Sequence, residues 1–173
     1  EDVYDAYEQL MDEGVEDYRD PDSCGGQYAF VKSPSGHEIE IVERDYGAKW
    51  SIDHTMIRVE DVDESIGWYT RKLDYEMFRR SEHDSFSLYF LKPEDAPDEA
   101  MSMELTYNHD GRAYEFGDAW GHVAVRADES DLEEYWEMLL SRHAEDYRDP
   151  ESCDYNYAFT KDPDGHEIEI VRR

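Results

Sequence analysis

The sequence is poor in cations, in cysteine and in long apolar runs. It has 17 Lys and Arg residues against 46 Asp and Glu, for a formal net charge of -29 at pH 7. Nucleic-acid binding requires clustered positive charge, so the charge balance argues against it. No apolar run approaches the ~20 residues that span a bilayer, and no signal peptide begins the chain. We therefore expect a cytoplasmic protein without a membrane segment, in which the 2 cysteines form no disulfide framework.

The composition nevertheless indicates a folded protein. Aromatic residues make up 14% of the 173 positions, whereas a disordered acidic chain has few of them. The acidic residues are spread over every segment and are not gathered in a tail. This pattern is typical of a protein adapted to high salt, where screening reduces repulsion between like charges. The alternative is an acidic surface that binds a basic partner.

The two ends of the chain are copies of each other. Residues 16–21 and 145–150 both read Glu-Asp-Tyr-Arg-Asp-Pro, and residues 36–42 and 165–171 both read Gly-His-Glu-Ile-Glu-Ile-Val. The offset is 129 positions throughout, without gaps. A repeat of this length indicates duplicated structure.

Each copy has the pattern of one helix followed by short strands. In the second copy the periodicity predicts a helix around Leu132–Leu140, with Ser130 as its N-terminal cap. An aromatic run, a turn at Asp-Pro-Asp-Gly and an alternating strand around Ile168–Ile170 follow. A strand at 121–125 precedes this helix, but the first copy begins inside its helix and has no room for an equivalent strand.

A further unit of the same shape lies between the copies. It is predicted to have a strand at Ile52–Val59, a helix at Glu64–Leu73, and strands at Phe86–Leu91 and Met101–Tyr107. The fold class is therefore α+β, built from repeated β-α-β-β-β modules whose curved mixed sheets form a cup. We expect a partial module at 1–43, a linker at 44–50, and a two-module domain at 51–173, divided into 51–120 and 121–173.

Two histidines and two glutamates occupy corresponding positions in the last two modules. His54 and His122 lie on the opening strands, and Glu104 and Glu169 lie on the closing strands. Two imidazoles and two carboxylates suit a divalent ion such as Ni²⁺, Co²⁺, Mn²⁺, Fe²⁺ or Zn²⁺. Taken singly, a strand histidine is more often a core residue and a strand glutamate more often faces solvent. Strand parity places Glu169 opposite the core-facing isoleucines, but Glu167 has the same parity, so position alone leaves both open.

The motifs around these residues resemble glyoxalase I, in the vicinal oxygen chelate superfamily. They are His54-Thr-Met-Ile-Arg-Val, Glu104-Leu-Thr-Tyr-Asn, Gly-His122-Val-Ala-Val and Asp-Pro-Asp-Gly-His-Glu-Ile-Glu169. The resemblance covers residues 51–173. It implies a metal held by His54, Glu104, His122 and Glu169, and so favours Glu169 over Glu167. It also implies Ni²⁺ or Co²⁺ in preference to Zn²⁺, because the loops are compact.

The resemblance implies a lyase that converts the hemithioacetal of methylglyoxal and a thiol into a 2-hydroxyacyl (lactoyl) thioester. Glu169 is then expected to move the proton, with Glu104 as the second acid or base. Arg58 and Asn108 match positions that bind the glutamyl part of the thiol, which is glutathione in the family and γ-glutamylcysteine in a salt-adapted relative. The alternatives are another enzyme of the superfamily, such as a dioxygenase or an epimerase, and a non-catalytic metal-dependent binding protein.

The partial module at 1–43 departs from the family pattern. Glu40 corresponds to Glu169, but the first copy has no position equivalent to His122. We interpret the chain as the C-terminal part of a tandem form with four modules. The four ligands could come from one chain or, through exchange of modules, from two chains of a homodimer. A third pairing would combine Glu40 with His54 and Glu104 and supply a single histidine.

Overall fold

The computed structural model describes residues 2–44, 50–127 and 131–172. It comprises two compact units, Glu1–Asp53 and His54–Arg173. Most of the predicted linker and the predicted cap Ser130 lie outside the described residues. No helix among the described residues is long and apolar enough to cross a membrane.

The first unit contains one helix and a three-stranded antiparallel sheet in the order β1-β2-β3. Its elements are α1 (Val3–Asp12), β1 (Glu16–Arg19), β2 (Tyr28–Lys32) and β3 (Glu38–Val42). The helix buries its apolar face on the sheet in a small core of Val3, Ala6, Ala29, Val31 and Ile41. This unit has the helix and closing strands that the repeat predicts.

The second unit begins with a four-stranded sheet and one helix. The elements are β4 (His54–Arg58), α2 (Val62–Lys72), β5 (Tyr75–Glu82), β6 (Phe86–Pro93) and β7 (Ser102–Asn108). The sheet order is β4-β7-β6-β5, with β4 parallel to β7 and the other pairs antiparallel. Strand β4 is shorter than predicted, because Ile52 is 71% exposed and lies outside the sheet.

The remainder of the second unit repeats this arrangement with three strands. Its elements are β8 (His122–Arg126), α3 (Leu132–Ser141), β9 (Tyr157–Lys161) and β10 (Glu167–Val171). The sheet order is β8-β10-β9, again with one parallel pair and one antiparallel pair. Asp131 caps α3, since its carboxylate accepts the Glu133 N–H at 2.9 Å. The predicted α+β class with mixed sheets is confirmed.

One hydrophobic core joins the two halves of the second unit. It contains Ile57, Leu105 and Tyr69 from the first half and Trp136, Ile168 and Ile170 from the second. The core-facing parity predicted for Ile168 and Ile170 is confirmed, because both are 0% exposed. Alternation along each strand therefore puts the ligand-type residues on the opposite faces of both sheets.

A buried polar network also connects the halves. The Tyr69 hydroxyl on α2 donates to Asp162 Oδ2 at 3.0 Å, and Asp162 also holds the His166 ring and backbone N–H. Beside them, Asp164 accepts the Ser65 hydroxyl and the Glu60 N–H. Burial, aided by Asp162, raises the pKa of the Tyr69 hydroxyl well above its usual range. The turn between β9 and β10 is thereby fixed to helix α2.

We expect Tyr69→Phe to lower the free energy of unfolding by about 1.5–3 kcal/mol, the usual loss for a hydrogen bond to a charged group. The reason is that a buried carboxylate, Asp162 at 4% exposure, loses a donor. Urea denaturation measures the change. Tyr75→Phe is the matched control, because the Tyr75 hydroxyl makes no hydrogen bond to a described side chain although burial raises its pKa to about 12. Equal losses in the two variants would contradict the role assigned to Tyr69–Asp162.

Candidate metal centre

The first His–Glu pair lies on neighbouring parallel strands of the four-stranded sheet. His54 begins β4, and Glu104 is in the middle of β7. The His54 Nε2 atom is 3.5 Å from Glu104 Oε2, and Glu104 is 7% exposed. Glu104 Oε1 accepts the Thr106 hydroxyl at 3.0 Å. The pair is therefore largely removed from water, with the orientation of its carboxylate fixed on one side.

The second pair repeats this placement on the three-stranded sheet. His122 begins β8, and Glu169 is in the middle of β10. The His122 Nε2 atom is 3.1 Å from Glu169 Oε2. The side chain of His122 is 44% exposed, against 11% for His54, so this pair is the more open one.

A phenylalanine lies beside each pair. Phe90 is directly across from Glu104 in the β6–β7 register, and Phe159 is across from Glu169 in the β9–β10 register. The Phe90 ring contacts His54 edge to face at 5.8 Å between centroids, and Phe159 contacts His122 at 5.4 Å. An arginine covers each ring, with Arg79 over Phe90 and Arg148 over Phe159. Sequence reasoning missed Phe90, whose aromatic run reads as ordinary core.

Glu167 and Glu169 share a face of β10 but have different contacts. Glu167 accepts the Tyr147 hydroxyl at 3.0 Å and the Arg148 guanidinium at 2.9 Å. Glu169 faces His122 instead. The carboxylate of Glu167 is thus engaged in an ion pair, whereas that of Glu169 lies next to an imidazole. This contrast supports the choice of Glu169 that the family resemblance implied.

The two pairs do not form one ligand cluster within the part of the chain that the structure describes. Among residues 2–44, 50–127 and 131–172, no group of three or more ligand-type side chains with ligand atoms within 4.8 Å combines members of both pairs. A different cluster of ligand-type side chains contains Asp162, Asp164 and His166. Their polar atoms are used in the hydrogen-bond network with Tyr69, Ser65 and Glu60. We therefore assign that group to structure.

The other predicted residues lie on the same faces as the pairs. Arg58, on β4 with His54, is exposed. Asn108 ends β7, and its Nδ2 donates to the Tyr114 hydroxyl at 2.7 Å. The Tyr114 backbone N–H in turn donates to Glu60 Oε1 at 2.9 Å. In the first unit, Glu40 is opposite Phe30 in the β2–β3 register, as Glu169 is opposite Phe159.

Comparisons with known proteins identify the family of this chain. The model of the Glyoxalase/Bleomycin resistance protein/Dioxygenase superfamily matches residues 51–170. The chain belongs to this superfamily. The family membership implied by the four motifs is confirmed, and the match covers both halves of the second unit.

Curated relatives within the superfamily are lactoylglutathione lyases. The chain is 36% identical to that of Haemophilus influenzae over 126 residues, which covers 68% of this chain and 89% of the relative. It is 35% identical to the probable lactoylglutathione lyase of Vibrio cholerae over 124 residues, covering 69% and 88%.

Solved glyoxalase I structures have the same fold. The trypanothione-dependent glyoxalase I of Leishmania major superposes with a TM-score of 0.61 at 33% identity, covering 72% of this chain and 87% of that one. A glyoxalase I variant from Zea mays gives a TM-score of 0.82 at 25% identity, covering 99% and 64%.

Proposed function

We propose that this chain is a glyoxalase I-type lyase that isomerises the methylglyoxal–thiol hemithioacetal to a 2-hydroxyacyl thioester. The observation that carries the proposal is the His–Glu pair found at the same place in both halves of the second unit. Relatives at 35–36% identity are named lactoylglutathione lyase and align over 88–89% of their length.

The chemistry of the donors fits one divalent metal ion. His54 and His122 offer imidazole nitrogens, and Glu104 and Glu169 offer carboxylate oxygens, a mixed set that borderline metals accept. We favour Ni²⁺ or Co²⁺, with Zn²⁺ as the alternative. Such an ion, when bound, supplies Lewis-acid stabilisation of negative charge that develops on the substrate oxygens.

The residues of the chain then have separate tasks. Glu169 takes the proton from C1 of the hemithioacetal and returns it at C2, which requires a carboxylate within reach of both carbons. Glu104 serves as a ligand and as the second acid or base. His54 and His122 serve as ligands, and the rings of Phe90 and Phe159 restrict their orientation. The low exposure of Glu104 keeps most water away from this ligand.

Arg58 and Asn108 are proposed to bind the thiol. A guanidinium and an amide suit a carboxylate and an amide of a γ-glutamyl thiol, either glutathione or γ-glutamylcysteine. Arg58 carries no ion pair to a described residue in spite of the excess of acids, so its charge is available to a ligand.

We expect Tyr114→Phe to raise the KM for the thiol hemithioacetal by about threefold to tenfold, the effect of one lost hydrogen bond, with little change in kcat. The reason is that the Asn108 amide loses the hydroxyl that orients it at 2.7 Å. Steady-state kinetics with γ-glutamylcysteine and glutathione measure both constants. Tyr155→Phe, at an exposed tyrosine, is the control. A fall in kcat at constant KM would contradict this role.

The acidic composition supports further parts of the proposal. With 46 acidic against 17 basic residues, we propose a salt-adapted cytoplasmic enzyme whose folded state is favoured by screening.

We also propose that the protein acts as a homodimer. The reason is that the two His–Glu pairs form no common ligand cluster among the described residues of one chain.

The deciding experiment is an isomerase assay in low and high salt. The protein is loaded with Ni²⁺, Co²⁺ or Zn²⁺, and thioester formation from methylglyoxal plus each thiol is followed. Turnover with at least one thiol–metal combination is the expected result. A metal-loaded protein without turnover in any combination would contradict the proposal. In that case, ring cleavage would identify the protein as a dioxygenase and epimerisation as an epimerase. Ligand binding without turnover would identify it as a non-catalytic binding protein.

A further inference from the structure

One contact of Glu104 has no counterpart at Glu169 among the described residues. On β7, the Thr106 hydroxyl donates to Glu104 Oε1 at 3.0 Å, and the two residues are 5% and 7% exposed. The other carboxylate oxygen, Oε2, faces His54 at 3.5 Å. A buried hydrogen bond to a carboxylate fixes its rotamer, because turning away would leave the charged oxygen unsatisfied.

The equivalent of Thr106 in the other copies has no hydroxyl. Thr106 is two residues after Glu104, so both side chains lie on one face of β7. Two residues after Glu169 comes Val171, and two residues after Glu40 comes Val42. The three closing strands thus read Glu-Leu-Thr, Glu-Ile-Val and Glu-Ile-Val. Val171 and Val42 belong to identical segments of the two end copies, so the hydroxyl at this position distinguishes the middle module.

Glu169 is accordingly held less firmly. Within the described ranges, no hydroxyl donates to its carboxylate, and its contact is with His122 Nε2 at 3.1 Å. Its side chain is 16% exposed, and that of His122 is 44% exposed. The side chains of Glu104 and His54 are 9% and 11% exposed, so Glu169 lies in the more open of the two pairs.

We propose that Thr106 is a positioning residue that makes the two halves of the site unequal. It holds Glu104 in the orientation of a fixed ligand, and it thereby leaves Glu169 as the carboxylate that turns toward the substrate and moves the proton. The inference rests on the proposed lyase function for the task of Glu169. Its statement about Glu104 concerns metal binding alone and can be tested without turnover.

The test exchanges the two residue types between the halves. Thr106→Val copies Val171, Thr106→Ser keeps the hydroxyl, and Val171→Thr gives Glu169 the contact that Glu104 has. Co²⁺ affinity is measured by competition with a chelator, the ligand field by the visible spectrum of the Co²⁺ protein, and kcat and KM by steady-state assay. Thr160→Val controls for the substitution itself, because Thr160 is fully buried and its hydroxyl has no partner among the described residues.

The expected results differ among the variants. Thr106→Val weakens Co²⁺ binding by about tenfold and changes the Co²⁺ spectrum, as loss of a ligand's hydrogen-bond partner does. Thr106→Ser and Thr160→Val bind Co²⁺ like the parent. Val171→Thr keeps Co²⁺ affinity and KM but lowers kcat by about tenfold, because a held Glu169 no longer turns freely.

Two outcomes would overturn the inference. One is unchanged Co²⁺ affinity and spectrum in Thr106→Val, and the other is unchanged kcat in folded Val171→Thr, with folding checked by thermal denaturation. If the parent protein turns over no thiol, the proposed function fails, yet the Co²⁺ results with Thr106→Val and Thr106→Ser still decide the role of Thr106.

Discussion

Replacing Glu169 by Gln is expected to lower kcat by about 10²- to 10⁴-fold, the range typical of a lost general base. The amide keeps the size of the side chain but has no carboxylate to accept the C1 proton. Binding of the thiol should persist, because Arg58 and Asn108 are untouched. Stopped-flow assays of thioester formation measure the loss, and calorimetric titration with an S-alkylated thiol measures the binding.

Glu167→Gln is the matched control for this experiment. Glu167 is on the same strand and the same face, but its carboxylate is engaged with Tyr147 and Arg148. We expect near-parental kcat for this variant. Comparable losses of kcat in both variants would mean that the proton is not moved by Glu169 in particular. If the parent protein binds the ligand but shows no turnover, the non-catalytic alternative is favoured.

The second large effect concerns the two histidines. His54→Ala and His122→Ala are each expected to reduce turnover by at least about a hundredfold. Removing the hydrogen-bond partner of a metal ligand costs about 10- to 100-fold in activity, and removing the ligand itself costs more. Each variant damages one His–Glu pair and leaves the other intact. Metal content and turnover of the separate proteins measure the loss.

Mixing the two variants then tests how the site is assembled. If a homodimer exchanges pairs, a mixed dimer has one site with His54 and His122 both intact. In an equal mixture, half of the dimers contain one chain of each variant. Each of these mixed dimers has one intact site out of two, so activity should recover to about a quarter of the parental value. The separation of the two pairs in the chain motivates this expectation. No recovery after the chains have been dissociated and reassociated would contradict exchange.

The predictable parts of the structure were those with strong periodicity. The repeat followed from identical segments 129 positions apart, and its helices followed from apolar spacing. The alternation around Ile168 and Ile170 predicted the correct core face. Strands β1 and β5 were missed. Every residue of β1 is exposed, and most of β5 is too, so neither has the alternation of a half-buried strand. Hydrogen bonds to a neighbouring strand define them, and these depend on residues distant in sequence.

The candidate site was predictable in its residue types but not in its contacts. Sequence position alone left Glu167 and Glu169 equivalent, because parity does not report that Arg148 comes within 2.9 Å of one of them. Thr106 lay within a recognised motif, yet nothing local indicates that its hydroxyl turns toward Glu104. The separation of the two pairs is a matter of tertiary packing, on which strand patterns carry no information.

The shared core of the second unit has a consequence for how the repeats behave in solution. Neither half has a hydrophobic core of its own, because α2, α3 and both sheets contribute to one cluster. The Tyr69–Asp162 hydrogen bond also connects the halves. The two repeats should therefore open as one cooperative unit in native-state hydrogen exchange. Because the interior is shared, we expect neither half of the second unit to fold without the other.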